Sequence, residues 1–123
     1  MRLKKGEATF NRLYYKYKFR SMIKQRDFLL SKEDFKKLTS SVCFYCNKKP
    51  SKSFSKDYDR YNGSYKYNGI DRIDNNKGYE IGNCVTCCSI CNKMKSVHSF
   101  KHFKKQIFNI YKTLIRRKNA RSK

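Results

Sequence analysis

The chain has no tryptophan, one proline (Pro50) and five glycines, and only nine acidic residues stand against 31 lysines and arginines. Each shortage excludes something. With no tryptophan and 38% hydrophobic residues in 123, the apolar core must be small, and a small core needs a staple such as a structural metal. No stretch approaches the ~18 apolar residues of a membrane span, and the N-terminus lacks the apolar run of a secretory signal. A membrane is therefore not an expected partner. The scarcity of acids leaves a formal net charge of +22. Self-repulsion on that scale is relieved by a polyanion, and nucleic acid is the expected one. Lys, Asn, Tyr, Phe and Ile dominate while Pro, Gly and Ala are scarce, the profile of AT-rich coding sequence.

What the chain does have is cysteine in pairs. Cys43-Phe44-Tyr45-Cys46 and Cys88-Ser89-Ile90-Cys91 are two C-x-x-C knuckles, able to supply the four thiolates of a closed tetrahedral zinc site. Partners within one pair are too close to bridge each other, so the spacing points to metal rather than disulfides. A reducing compartment follows: cytosol, including that of a phage host, or the mitochondrial matrix or another organelle. Cys84 and Cys87 compete with Cys88 for the third ligand position. The offset from Asn83 and the Asn92 that follows favour Cys88, leaving Cys84 and Cys87 as small buried strand residues.

The segment between the knuckles is longer than in compact zinc fingers, so it has room for secondary structure. Tyr67 to Asp74 is expected as the first strand of a hairpin, Asn75-Asn76-Lys77-Gly78 as its turn and Tyr79 to Val85 as the return. Cys88 to Lys95 then starts a helix. Upstream, residues 7–26 place Phe10, Leu13, Tyr14, Tyr17 and Met22 at spacings of three and four, predicting a basic amphipathic helix with an aromatic core stripe. Asp27 to Leu30 reads as a short strand or connector. Ser31-Lys32-Glu33-Asp34 reads as an N-cap with acids in the first turn of a helix through Leu38. Residues 47–66 show no period and read as loop. Downstream, Phe100, Phe103, Ile107, Ile110, Tyr111 and Leu114 form a regular apolar face on a last helix, followed by a basic tail. The expected division is a basic helical extension (1–40), a zinc-bearing core (41–97) and a basic C-terminal helix and tail (98–123). The fold class is α+β, a small zinc-stapled ββα core with flanking basic helices.

Gly69-Ile70-Asp71-Arg72-Ile73-Asp74-Asn75, Gly78-Tyr79, Asn83-Cys84-Val85 and Cys88-x-x-Cys91-Asn92-x-Met94-Lys95 resemble the HNH endonuclease family, in its zinc-bearing ββα-metal or treble-clef members from phages and organellar introns. The likeness covers roughly residues 31–100. It implies a catalytic Mg²⁺ or Mn²⁺ distinct from the zinc, with Asp71 as strand ligand, Asn92 as helix ligand and Asn83 in the middle asparagine position. Arg72 stands where the family has its general-base histidine. A guanidinium stays protonated and cannot take a proton from water, though it can clamp a phosphate. His98 and His102 lie beyond the core, and no spacing argument favours Asp74 as a substitute base. Each role has a plainer competitor: turn and helix capping for Asp71 and Asn92, hairpin bracing for Asn83, a surface salt bridge for Arg72.

Two functions follow from these residues. One is a metal-dependent HNH DNA endonuclease of homing or nicking type. The favoured one is a zinc-binding protein that has kept the fold's phosphate-facing surface and lost the base. It would serve as an RNA-bound component of a ribonucleoprotein, such as an organellar ribosomal protein alongside other proteins, with DNA the alternative partner. The expected nucleic-acid contacts are Arg72, Lys77, Lys93, Lys95, Arg116, Arg117, Lys118 and Arg121.

Overall fold

The computed structural model describes residues 4–54 and 63–121, the side chains of Phe54 and Arg121 excepted; the chain end at 122–123 lies outside the described residues. The order of elements is α1 (Glu7–Ile23), α2 (Lys32–Ser40), β1 (Lys52–Phe54), β2 (Tyr65–Tyr67), β3 (Gly69–Arg72), β4 (Cys84–Cys87), α3 (Ser89–Lys95) and α4 (Phe100–Arg121). The class is α+β.

Helix α2 begins where its first residues dictate. Ser31 caps it: its Oγ accepts from the Asp34 amide at 3.1 Å, while the Asp34 carboxylate accepts from the Ser31 amide at 3.4 Å, a reciprocal capping box. Helix α1 starts after Gly6, held at φ 82. Glycine is required there twice over: the left-handed backbone disfavours a Cβ, and one would lie 2.9 Å from the Ser64 carbonyl oxygen.

The two helices bury a compact aromatic cluster. Phe35 is fully buried at its centre, with ring centroids of Phe10, Tyr14 and Tyr17 between 5.2 and 5.8 Å away, mostly edge-to-face as ring quadrupoles prefer. Leu13, Leu30, Tyr67, Ile70 and Cys84 complete its buried members. The aromatic stripe of α1 is thus core packing, and residues 7–40 share one core with the β3–β4 hairpin. Met22 does not join them and is 65% exposed.

β3 and β4 are antiparallel, pairing Gly69 with Cys87 and Arg72 with Cys84. The ladder is shorter than the alternation predicts. Asn68 ends β2 and separates it from β3: its amide donates to Thr39 O, and its Nδ2 donates to Ser41 O and Lys48 O. On the return side, Tyr79 pairs instead with the α1–α2 connector, accepting from Leu29 N and donating to Asp27 O, both at 2.8 Å. Ile81–Asn83 then forms a 3₁₀ turn, so pairing with β3 begins only at Cys84. Within the supposed loop 47–66, β1 and β2 pair in antiparallel fashion, Lys52 with Tyr67 and Phe54 with Tyr65; strands of three residues are too short to show a period.

The last helix departs most from expectation. Only Phe103 on its apolar face is fully buried, while Ile107, Ile110, Tyr111 and Leu114 stay exposed. No helix among the described residues is long and apolar enough to cross a membrane.

The Tyr79 bridge makes a prediction. A Cβ on Gly78 would collide with the Asp27 carbonyl and lie 2.9 Å from its nitrogen, whereas one on Gly82 meets nothing within 4 Å. Gly78→Ala is expected to cost about 1–3 kcal/mol and Gly82→Ala less than about 0.5 kcal/mol, read by chemical denaturation.

Candidate metal centre

The first knuckle is built by backbone bonds to its surroundings. Cys43 N donates to Lys48 O at 2.9 Å, and Asn47 N returns to Cys43 O at 2.8 Å, with Asn47 in the left-handed conformation at φ 65 that asparagine tolerates. Phe44 N docks on Thr86 O of β4 at 2.7 Å. The second knuckle straddles the β4–α3 junction, where Cys88 caps α3 and its Sγ accepts from Cys91 N at 3.4 Å. β4 therefore carries one knuckle at its end and holds the other along its edge.

The sulfurs of Cys43, Cys46, Cys88 and Cys91 all lie within 4.8 Å of one another. A Zn–S bond of about 2.3 Å implies sulfurs about 3.8 Å apart in a tetrahedron, and Cys46 Sγ lies 3.7 Å from Cys88 Sγ. All six cysteines are free thiols. The four can hold a metal ion such as zinc. Cys84 and Cys87 are buried in β4, Cys84 against the aromatic core and Cys87 beside the cluster. Burial pushes the Cys84 thiol up to about 11 and that of Cys87 higher still. Burial also opposes ionisation of Cys43, but N–H groups of Cys88, Cys46 and Tyr45 aimed at its sulfur outweigh it and bring the thiol down to about 7. Burial and the adjacent thiols raise Cys91. A divalent ion binds thiolates, so it must displace protons here.

One turn beyond Cys91, on the same face of α3, Lys95 points inward. It is fully buried, and its Nζ lies 3.3 Å from Asp71 Oδ1 and 3.2 Å from Oδ2, with Arg72 O at 3.4 Å. The other donor to Asp71 comes from the first knuckle: Tyr45 OH donates to Oδ2 at 2.5 Å. Burial first, then the bond to Asp71 and that residue's charge, raise the Tyr45 hydroxyl far above its ordinary value, so it remains a donor. Both knuckles thus send a side chain to one buried carboxylate. The tyrosine ring in turn packs edge-on to Phe103, centroids 5.4 Å apart, which seats the start of α4.

This corrects the reading of Lys95 as a nucleic-acid contact: it is sealed from solvent and committed to Asp71. The other expected residues separate. Asn92 is exposed and lines a cleft with Tyr17, Lys52, Asn68 and Ser89, to which Asp71 does not contribute. Asn83 is buried and braces the 74–78 turn, accepting from Asp74 N at 2.8 Å and donating to Asp74 O and Gly78 O. Arg72 is half-buried; its Nη1 donates to Asn75 O and Lys77 O, and its guanidinium carbon lies 5.5 Å from the Tyr79 ring centroid. Asp74 Oδ1 accepts from Asn76 N. Lys77, Lys93, Arg116, Arg117 and Lys118 are exposed. The partners that sequence reasoning missed are Tyr45 and Lys95. A signal was present in the four-residue offset of Lys95 from Cys91.

Fold and site together define an α+β protein built round four cysteines that can hold a metal ion. An uncharacterized protein of Acanthamoeba polyphaga mimivirus is 40% identical over 90 residues, covering 73% of this chain. The chain spans only 14% of that relative's length. No protein-family model matches the chain, and no solved structure matches it.

Two outcomes test this centre. Purified protein is expected to carry one zinc per chain, lost in Cys88→Ser and retained in Cys87→Ser and Cys84→Ser, by metal analysis. Because Cys46 and Cys91 have raised thiols, they are protonated in the metal-free protein at neutral pH. Zinc uptake should therefore release protons, and affinity should climb as pH rises. Separately, Lys95→Met leaves a buried carboxylate without its cation and is expected to cost about 3–5 kcal/mol. Asp71→Leu combined with Lys95→Met should cost less than the sum of the single changes in a double-mutant cycle.

Proposed function

We propose that this chain is a zinc-stapled, nucleic-acid-binding module derived from the HNH ββα fold, without nuclease activity, which binds RNA as a structural part of a ribonucleoprotein particle. The observation that carries this reading is the Lys95 ammonium against Asp71. The likeness to HNH enzymes assigns Asp71 to a divalent ion. Hydrolysis needs an ion with open positions, which can polarise a phosphoryl oxygen and lower the pKa of bound water. A buried lysine neutralises the same carboxylate and offers neither property. The remaining parts agree: Arg72 cannot serve as base, Asn83 is engaged in bracing the turn, and Asn92 lines a cleft to which Asp71 does not contribute.

Binding itself rests on charge. Exposed lysines and arginines occur on α1, on the 75–78 turn, on α3 and along α4, spread over several surfaces rather than gathered in one cleft. That distribution favours an irregular polyanion such as folded RNA over a single DNA groove. Arg72 keeps donors beyond Nη1 with which to meet a phosphate. The viral relative favours a virus-infected cytosol over an organelle as the setting.

If about ten phosphates are neutralised, the log–log slope of affinity against salt should be about −9 on duplex and about −7 on single strands. Lys77→Glu with Lys93→Glu should make that slope shallower by about 2. A flat salt response would remove the polyanion reading. Plasmid nicking with Mg²⁺ or Mn²⁺ that disappears in Asp71→Ala would replace the module by an active endonuclease.

A further inference from the structure

The outer length of α4 presents an apolar face that neither the metal centre nor phosphate binding uses. Past Phe103, six large apolar side chains remain in solvent on consecutive turns: Ile107, Phe108, Ile110, Tyr111, Leu114 and Ile115, between 41% and 63% exposed. At 100° per residue they fill one continuous arc of the helix. Phe103 is the only buried side chain among those described on α4, and a helix of this length without packing is only marginally stable in water. A surface of this kind is built to be covered.

The charges beside the arc select the cover. Over this span one flank carries Lys105, Lys112 and Arg116, spaced by seven and four residues and hence in line. The other carries Gln106 and Thr113 and a single base, Arg117. Phe108, Tyr111, Ile115 and the basic pair Lys112 and Arg116 line one shallow groove, and Lys112 Nζ lies 5.8 Å from the Phe108 ring centroid. No acidic residue occurs anywhere in Phe100–Arg121. Pairing with a second copy would set two basic rows together with no acid on either helix, which repels. A lipid surface is laterally uniform, so it offers nothing to one flank that it does not offer to the other. Nucleic acid would satisfy the basic row and leave the apolar arc wet.

We propose that the Ile107–Ile115 face of α4 docks a short amphipathic helix of another protein. That helix would fill the arc with aliphatic side chains and set a row of Asp or Glu against Lys105, Lys112 and Arg116. The apolar arc supplies affinity, and the excess of three bases to one between the flanks fixes orientation. The apolar arc plays no part in the nucleic-acid reading, whereas Lys105, Lys112 and Arg116 belong to the basic surface on which that reading draws.

The test uses the full zinc-loaded chain and two synthetic helical peptides with identical leucine stripes, one flanked by a glutamate row and the other by a lysine row. The glutamate peptide should bind about tenfold tighter or more. Reversing the row with Lys105→Glu, Lys112→Glu and Arg116→Glu should invert that preference. Ile110→Asp with Leu114→Asp should abolish binding of both peptides while zinc content stays unchanged. Equal binding of the two peptides overturns the proposal. So does concentration-dependent dimerisation lost in the Ile110→Asp, Leu114→Asp variant. Capture by phosphatidylserine vesicles that the three charge reversals leave undiminished would likewise overturn it, assigning the face to a membrane.

Discussion

Four sulfurs, three of them from buried cysteines, converge within 4.8 Å of one another. Cys43 and Cys46 sit on a loop fixed by backbone bonds, Cys88 caps a helix, and Cys91 lies in its first turn. With an apolar core this small, a metal ion held by these thiolates would close this segment of chain and supply constraint that burial does not. The segment from the first knuckle through β4 to α3 is organised round that point, while the aromatic cluster about Phe35 secures α1 and α2.

The centre and the buried ion pair form one unit. Tyr45 lies inside the first knuckle and Lys95 one turn past the second, and both end on Asp71. A buried carboxylate of this kind is costly unless its charge and lone pairs are met, and here the two knuckles meet them together. The same arrangement gives the proposed loss of nuclease chemistry a physical cause, since the fixed cation leaves no open coordination position beside the carboxylate. It also links the metal centre to α4, because the Tyr45 ring that reaches Asp71 is the one Phe103 packs on.

The helices show how far sequence pattern reaches. The capping box at Ser31 and Asp34 marks the start of α2 because capping is a local exchange of hydrogen bonds. The aromatic stripe of α1 marks a buried face because the body of the protein is there to receive it. The equally regular stripe of α4 marks a face with no cover among the described residues. Periodicity reports that a face is apolar; what covers it is decided elsewhere in space. The β1–β2 pair escaped for a different reason, its strands being too short for alternation to register.

By itself the sequence determined the basic character of the chain, the α+β class, the choice of Cys43, Cys46, Cys88 and Cys91 as one ligand set, and the starts of the first two helices. These are properties of spacing and composition, expressed within a turn or two of chain. Only the tertiary structure decided that Asp71 faces a lysine, that Asn83 and the Nη1 of Arg72 brace the turn, that Asn92 lines a cleft without Asp71, and that the apolar face of α4 stays exposed. Those outcomes depend on which side chain reaches a given point first once distant segments have packed, and spacing along the chain carries no record of that.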